Sequence, residues 1–198
     1  KALDHPVPAL VFIHGGGWAG GQRGDYRPYT VPYAAKGYVT ASVSYRLKDV
    51  AKFPAAVQDV KAAIKFLRAN AEKYHIDPDH IAAIGGSAGG HLSLMLGLTP
   101  DKPELEPTAG PEGVSDKVQA VVAPYGPTDL TTDFARNNGT VTSFIGKSYE
   151  EAPDAFKLAS PMAHLTADAP PILIFHGTID DIVPVEQSDG FAAKLKEL

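Results

Sequence analysis

A serine placed between glycines is the residue of this chain best suited to chemistry. Residues 85–91 read Gly-Gly-Ser-Ala-Gly-Gly-His, between an apolar run at 81–84 and a helical run at 92–96. A Gly-x-Ser-x-Gly sequence between a strand and a helix predicts a tight, strained turn that projects the Ser87 hydroxyl out of the sheet as a nucleophile. A side chain at Gly85 or Gly89 is expected to collide with the strand or the helix. The alternative is an ordinary turn in which the serine caps the helix.

A second glycine-rich segment follows another apolar run. Residues 14–18 read His-Gly-Gly-Gly-Trp, directly after the apolar residues 9–13. Three consecutive glycines let the backbone approach a substrate closely and turn its N–H groups inward, as the stabilisation of an oxyanion requires. A flexible glycine turn is the alternative. Because both motifs follow strand-like runs, in this order along the chain, we interpret them as parts of one site.

The two motifs together resemble those of α/β-hydrolases of the esterase and lipase group, whose glycine motif reads HGGGW. The chain is most similar to the bacterial feruloyl and acetyl-xylan esterase-like families, in which the serine motif reads GGSAGGH. It is more distantly similar to hormone-sensitive-lipase-like esterases, which carry Asp at the position of Gly86. The resemblance extends from about Leu10 to Leu198.

This resemblance implies a role for each residue of the two motifs. Ser87 is expected to attack an ester carbonyl. The backbone N–H groups of Gly16, Gly17 and Ala88 are expected to stabilise the oxyanion, and Trp18 to contribute its N–H or to line the pocket. No metal ion or organic cofactor is expected.

Serine is a weak nucleophile and needs a base, which in turn needs an orienting acid. Asp180 follows the apolar run at 172–175 and matches the first aspartate of the pattern HGxxDxxVP, which is the acid in similar families. A turn aspartate at this position is the alternative. Asp181 is the neighbour most easily confused with it, and Asp129, which also ends a predicted strand, is a further candidate.

The activating histidine is not evident in this sequence. Similar families place it one helix and one strand beyond the acid, but none of the 18 residues after Asp180 is histidine. We therefore expect the base in a segment after Leu198, with His164 as a weak substitute. The other histidines are expected to be structural or peripheral: His14 and His176 holding loop backbones, His91 inside the helix after the serine, and His5, His75 and His80 near the surface.

Composition narrows the classes of function. The 198 residues carry a net charge of −5 without a basic cluster, which argues against nucleic acid as a partner. No apolar run approaches about 18 residues, so no membrane span is expected. The absence of cysteine excludes disulfides and thiol catalysis. The compartment, cytoplasmic or secreted, and homo-oligomerisation are left open.

Strand-like runs alternate with helical patterns along the whole chain. This alternation predicts an α/β fold with a mostly parallel central sheet, helices on both faces, and ligands at the carboxyl ends of the strands. A turn is predicted at 77–79, and an inward-facing Leu198 in the last helix. Strands are predicted at 9–14, 38–45, 81–84, 118–123 and 171–176, and helices at 25–36, 53–74, 92–96 and 186–198.

The resemblance to α/β-hydrolases also implies how the chain is organised. Residues 1–198 are expected to form one α/β-hydrolase domain that lacks its first and last strands. Residues 99–115 are the longest predicted loop. Residues 128–161 are predicted to be an insertion that covers the site and shapes the substrate pocket.

The favoured function is a serine carboxylesterase that hydrolyses short-chain or carbohydrate-linked esters through an acyl-enzyme. An arylformamidase and a hydrolase of the prolyl-oligopeptidase type would use the same chemistry on other bonds. A binding module that lacks the histidine base is the alternative from another class. Such a module would leave a sheet edge and an apolar helix face uncovered, which favours self-association.

Overall fold

A parallel sheet forms the centre of the molecule. The computed structural model describes residues 4–100 and 102–198. Within these residues the sheet has five strands in the order β2-β1-β3-β4-β5, and every neighbouring pair is parallel. This confirms the predicted α/β sheet. The strands are β1 (Val7–Ile13), β2 (Val39–Val43), β3 (Ile76–Ile84), β4 (Ala120–Val122) and β5 (Ile172–Leu173).

Helices connect these strands, as parallel pairing requires. Among the described residues, no helix is both long and apolar enough to cross a membrane. The α-helices are α1 (Arg27–Ala35), α2 (Ala55–Ala69), α3 (Ala71–Tyr74), α4 (Ala88–Leu98), α5 (Asp133–Arg136), α6 (Gly139–Ile145), α7 (Pro153–Leu158) and α8 (Glu186–Glu197). Short 3-10 helices lie at Arg23–Tyr26, Pro103–Leu105 and Pro161–His164.

Both faces of the sheet carry helices, because neighbouring residues of a strand point to opposite sides. The Phe12 ring lies against Tyr33 of α1, with 6.1 Å between the ring centroids. Ile13 instead belongs to the buried core that α2 and α4 complete with Ile64 and Leu92. The predicted apolar stripe of α2 is therefore confirmed, and α4 is buried along its length because it lies between the sheet and α2.

Two local predictions in the first half of the chain are wrong. The helix predicted at 53–74 is interrupted at Asn70, whose side-chain amide donates to the Phe66 carbonyl. Asparagine competes with the helix backbone in this way and favours helix ends. The turn predicted at 77–79 is instead part of β3, where the Asp79 N–H bonds to the Asp77 carboxylate and the pairing with β1 is irregular.

The second half of the chain also differs in detail. The strands predicted at 118–123 and 171–176 are shorter, at three and two residues. Helix α8 ends at Glu197, and Leu198 is 51% exposed rather than directed inward. The predicted loop at 99–115 includes residue 101, which lies outside the described residues. Residues 128–161 contain α5, α6 and α7, which pack against the core through Ala135, Phe144 and Phe156.

Candidate active site

The two glycine motifs lie side by side at the carboxyl ends of β1 and β3. These strands are hydrogen-bonded neighbours, so the segments that follow Ile13 and Ile84 meet at one edge of the sheet. A β-carbon built on Gly15 would lie 2.8 Å from the carbonyl oxygen of Gly86 and 3.4 Å from the β-carbon of Ser87. Only glycine permits the backbone of the first motif to approach the serine this closely.

Ser87 occupies a strained turn. Its backbone has φ 57° and ψ −125°, a conformation that costs a residue with a side chain about 1–3 kcal/mol. The Ser87 N–H donates to the Pro124 carbonyl at 3.1 Å, and its carbonyl accepts from the His91 N–H at 3.0 Å, so both sides of the turn are held. Ser87 stands at the N-cap position of α4, but its side chain makes no capping hydrogen bond. This observation contradicts the alternative interpretation in which Ser87 serves only to cap the helix.

The glycines that flank the serine fill places where no side chain fits. A β-carbon on Gly85 would lie 2.5 Å from the Ile13 carbonyl oxygen and 2.6 Å from the Gly89 carbonyl carbon. A β-carbon on Gly89 would overlap the Ile13 carbonyl oxygen and lie 2.8 Å from that of His14. The predicted collisions are confirmed, and they involve backbone atoms that cannot rotate away.

Residues of both motifs line one cavity together with Ser87. Gly17, with φ 59°, and Ala88, the first residue of α4, both line it. Within residues 4–100 and 102–198, neither of their N–H groups donates to a protein acceptor. Gly16, with φ 99°, is not part of this lining, and its carbonyl accepts the N–H groups of Ala19 and Gly20. Such free donors at a helix N-terminus favour a negative charge.

The cavity has a volume of about 140 Å³ and a mostly apolar lining. Residues 128–161 contribute four side chains to it, and the loop after β5 contributes two. Trp18 lines the cavity as well, although the residue is only 3% exposed. The lining consists of Gly17, Trp18, Ser87, Ala88, Pro127, Phe134, Asn138, Thr140, Val141, Ile182 and Val183.

Asp180 organises the loop that follows β5. Its Oδ1 accepts the backbone N–H groups of Ile182 and Val183, each at 2.9 Å. These two hydrogen bonds, Val183 first, lower the pKa of the Asp180 carboxyl below its usual value, with a smaller contribution from His176. Asp180 is therefore a carboxylate at neutral pH. It fixes Ile182 and Val183, which line the cavity beside Ser87.

His176 holds this loop through both of its ring nitrogens, as predicted. Nε2 lies 2.8 Å from the Val183 carbonyl oxygen, so the proton belongs on Nε2, and Nδ1 accepts from the Ser188 hydroxyl at 2.7 Å. Nε2 is also 3.4 Å from Oδ2 of Asp180. His14 is likewise structural: its buried ring stacks on Tyr45 with 4.2 Å between the ring centroids, and Nδ1 lies 2.9 Å from the Gly15 carbonyl oxygen.

The weaker candidates lie elsewhere. Nε2 of His164 is 2.8 Å from the Leu158 carbonyl oxygen, and burial lowers the pKa of this histidine. Asp129 accepts the N–H and the hydroxyl of Thr131, and Asp181 is exposed. None of these three side chains is part of the cavity lining. The structure thus brings Gly17, Trp18, Ser87 and Ala88 together with Ile182 and Val183, which Asp180 holds from outside the lining. It gives no such link to the cavity for His164, Asp129 or Asp181.

Two tyrosines at the site were missed by sequence reasoning. The Gly86 N–H donates to the Tyr26 hydroxyl at 2.8 Å. A β-carbon on Gly86 would lie 2.6 Å from the Tyr125 hydroxyl oxygen and 2.8 Å from the nearest atom of its ring, so an aspartate at 86 would require that side chain to move. No local sequence signal identifies either tyrosine, because each meets Gly86 from a distant part of the chain.

The fold and the two glycine motifs at one sheet edge are those of an α/β-hydrolase. The chain belongs to the BD-FAE family, whose sequence profile matches residues 1–195. Within the described residues, no cluster of three His, Asp or Glu side chains could hold a metal ion.

Relatives and solved structures agree with this assignment. Esterase LipC of Mycobacterium tuberculosis is 37% identical over 96% of this chain. A truncated carbohydrate esterase from gut microbiota is 31% identical, with a TM-score of 0.86 over 98% of this chain and 75% of its own. Thermogutta terrifontis esterase 2 phosphorylated by paraoxon is also 31% identical, with a TM-score of 0.81 over 98% of this chain and 67% of its own. The chain spans 49% of LipC, about half of that relative's length.

Proposed function

We propose that this chain carries the nucleophile, the oxyanion hole and the acid of a serine carboxylesterase. One observation carries the proposal: the strained Ser87 shares a cavity with Gly17 and Ala88, whose N–H groups donate to no acceptor in the part of the chain that the structure describes. An ester carbonyl at that position would place its carbon against the serine hydroxyl and its oxygen against the two donors.

The reaction proceeds through an acyl-enzyme. Oγ of Ser87 attacks the ester carbonyl carbon and gives its proton to a histidine base. The N–H groups of Gly17 and Ala88 stabilise the tetrahedral oxyanion, with that of Gly16 in the same loop as a proposed third donor. The alcohol leaves with the proton that the base returns. Water then attacks the acyl-enzyme by the same route and releases the acid. No metal ion or organic cofactor takes part.

Asp180 is the proposed orienting acid, and a histidine beyond Leu198 is the proposed base. The ionised carboxylate of Asp180 would hold the imidazole in one tautomer and stabilise the imidazolium that forms during attack. None of the histidines within the described residues lines the cavity beside Ser87. That distribution favours a base from a segment outside this sequence over His164.

The proposed substrates are esters of short acyl groups, including esters on carbohydrate. The cavity of about 140 Å³ is far smaller than the 300–1,000 Å³ typical of sites for drug-sized ligands, and it matches a cavity of about 150 Å³ that holds benzene. The likeness to a carbohydrate esterase favours a sugar as the alcohol. Residues 128–161 would set the acyl length through Phe134 and Val141.

Paraoxon tests the proposed nucleophile. The protein is expected to gain one diethylphosphoryl group on Oγ of Ser87, with loss of p-nitrophenol, as mass spectrometry of its peptides would show. The Ser87→Ala variant is expected to gain none. Equal labelling of that variant, or labelling mapped to another serine, would contradict the proposal.

The three acid candidates can be separated by matched substitutions. Asp180→Asn is expected to lower kcat/KM for p-nitrophenyl acetate by about 10²- to 10⁴-fold, because it removes the charge that orients and stabilises the base. The amide oxygen can still accept the N–H groups of Ile182 and Val183, so the loop is expected to stay folded. Asp181→Asn and Asp129→Asn are expected to remain within about twofold of the unmodified protein. A larger loss of kcat/KM in either variant would identify that aspartate as the orienting acid instead of Asp180.

A further inference from the structure

Trp18 and His91 each have one buried polar atom without a partner among the described residues. These atoms are Nε1 of Trp18 and Nδ1 of His91. The indole Nε1 can only donate a hydrogen bond. Nε2 of His91 lies 2.7 Å from the Ala159 carbonyl oxygen and must carry the proton of the neutral ring, which leaves Nδ1 as an acceptor. The two unpaired atoms are therefore complementary.

The two rings are in contact. Their centroids are 5.1 Å apart at an interplanar angle of 88°, so one ring presents its edge to the other. Phe144 packs on both, stacked on Trp18 at 4.3 Å and edge-on to His91 at 5.7 Å, and offers no acceptor. Nε1 is inaccessible although the indole ring lines the cavity, so its N–H points away from the cavity into the protein.

Leaving both atoms unpaired would be unfavourable, since each buried polar group without a hydrogen bond lowers stability. We propose that one buried water accepts from the indole N–H of Trp18 and donates to Nδ1 of His91, and that His91 thereby positions the oxyanion loop. Burial lowers the pKa of His91 to about 4, with opposing and smaller effects from the Ala159 hydrogen bond. The ring is thus neutral near pH 7, and Nδ1 keeps its lone pair.

This water-mediated hydrogen bond would join three parts of the site. His91 lies one turn after Ala88 on α4, and its Nε2 reaches Ala159 at the end of residues 128–161. Trp18 directly follows Gly17, and its carbonyl accepts the Lys48 N–H at 2.7 Å. A water-mediated bond from Trp18 to His91 therefore fixes the Gly17 N–H relative to the Ala88 N–H.

The backbone of Trp18 needs such an anchor. Its φ of 55° is rare for a bulky residue and persists only where surrounding contacts enforce it. The hydrogen bond itself is independent of the proposed function, whereas its role in holding the oxyanion donors rests on that function.

Nitrogen-15 NMR tests the bond directly. Trp18 is the only tryptophan of the 198 residues, and the Trp18→Phe variant assigns its indole resonance in the protein. An indole proton bonded to a buried water is expected to resonate downfield and to exchange with deuterium slowly. An upfield, rapidly exchanging indole proton in the unmodified protein would overturn the proposal.

Two substitutions of His91 separate positioning from packing. His91→Gln can keep a donor to Ala159 but removes the acceptor, so kcat for p-nitrophenyl acetate is expected to fall about 10- to 100-fold with little change in KM. His91→Asn places its amide oxygen near the position of Nδ1 and is expected to restore much of kcat and the slow exchange. The double variant Trp18→Phe with His91→Gln is expected to have a kcat no lower than that of the less active single variant.

The positioning role would be overturned if the losses of kcat in the two single variants add in the double variant. It would also be overturned if His91→Asn has a kcat no higher than that of His91→Gln. If the unmodified protein hydrolyses no ester, the proposed function fails instead, and the indole resonance still decides whether the bond exists.

Discussion

Replacing Ser87 with alanine is expected to lower kcat/KM for p-nitrophenyl acetate by about 10⁴-fold or more, and replacing it with glycine is expected to do the same while stabilising the protein. The loss of activity follows from the removal of the Ser87 hydroxyl from the cavity that Gly17 and Ala88 also line. Both variants are expected to fold, because the Ser87 side chain makes no capping hydrogen bond that the structure would lose.

The stability difference between these variants measures the strain in the turn. Alanine keeps the β-carbon that makes φ 57° and ψ −125° unfavourable, whereas glycine removes it. Releasing about 1–3 kcal/mol of strain exceeds the ~0.5–1 kcal/mol that glycine loses through its freer unfolded chain. The Ser87→Gly variant is therefore expected to be about 1 kcal/mol more stable than Ser87→Ala in urea unfolding.

Ser93, inside α4, provides the control for this comparison. Its backbone is helical, so Ser93→Gly is expected to be about 1 kcal/mol less stable than Ser93→Ala. If glycine were also the less stable choice at Ser87, the turn would hold no strain of the expected kind. If glycine at position 87 is instead more stabilising than alanine, the protein retains an unfavourable backbone conformation at Ser87 for catalysis.

The turn around Ser87 could be predicted from sequence because its constraints are local. An apolar run, two glycines and a helical run are enough to require a strand, a sharp turn and a helix in succession. Parallel pairing of β1 with β3 then brings residues 14–18 beside Ser87, since neighbouring parallel strands have their carboxyl ends at the same edge of the sheet.

The parts that sequence reasoning missed depend on contacts between distant residues. Tyr26 meets Gly86 across 60 positions of sequence, and nothing near either residue indicates the hydrogen bond. Lys61 is polar by type and still fully buried, because its Nζ lies 2.7 Å from Asp116 Oδ2, which comes 55 positions later. Periodicity assigns a lysine to the exposed face of a helix and has no information about such a partner.

The early end of α2 has a different origin. Asn70 interrupts a pattern whose apolar spacing continues to Tyr74, so periodicity extends the helix too far. The side chain of Asn70 satisfies the Phe66 carbonyl locally, and that single interaction outweighs the apolar spacing.

Gly89→Ala is expected to destabilise the protein by about 3 kcal/mol or more and to remove activity against p-nitrophenyl acetate. Helix propensity alone predicts the opposite sign, since alanine favours an α-helix over glycine by about 1 kcal/mol. At this position, however, the new β-carbon would overlap the Ile13 carbonyl oxygen and approach that of His14 at 2.8 Å. Both oxygens belong to the backbone of the strand and loop that hold the oxyanion donors. The steric overlap can therefore be removed only if α4 and β1 move apart.

Gly190 in α8 is the matched control, because a β-carbon there would meet only Met162 Cε, at 3.8 Å. Gly190→Ala is expected to raise the free energy of unfolding by roughly 0.5–1 kcal/mol without changing kcat/KM. In urea unfolding, the free energy of unfolding is therefore expected to fall for Gly89→Ala and to rise for Gly190→Ala if contact between α4 and β1 requires glycine at position 89. A stabilising effect at both positions would show that the serine turn and the oxyanion loop are packed less closely than their strands imply, and would remove the steric reason for glycine after the nucleophile.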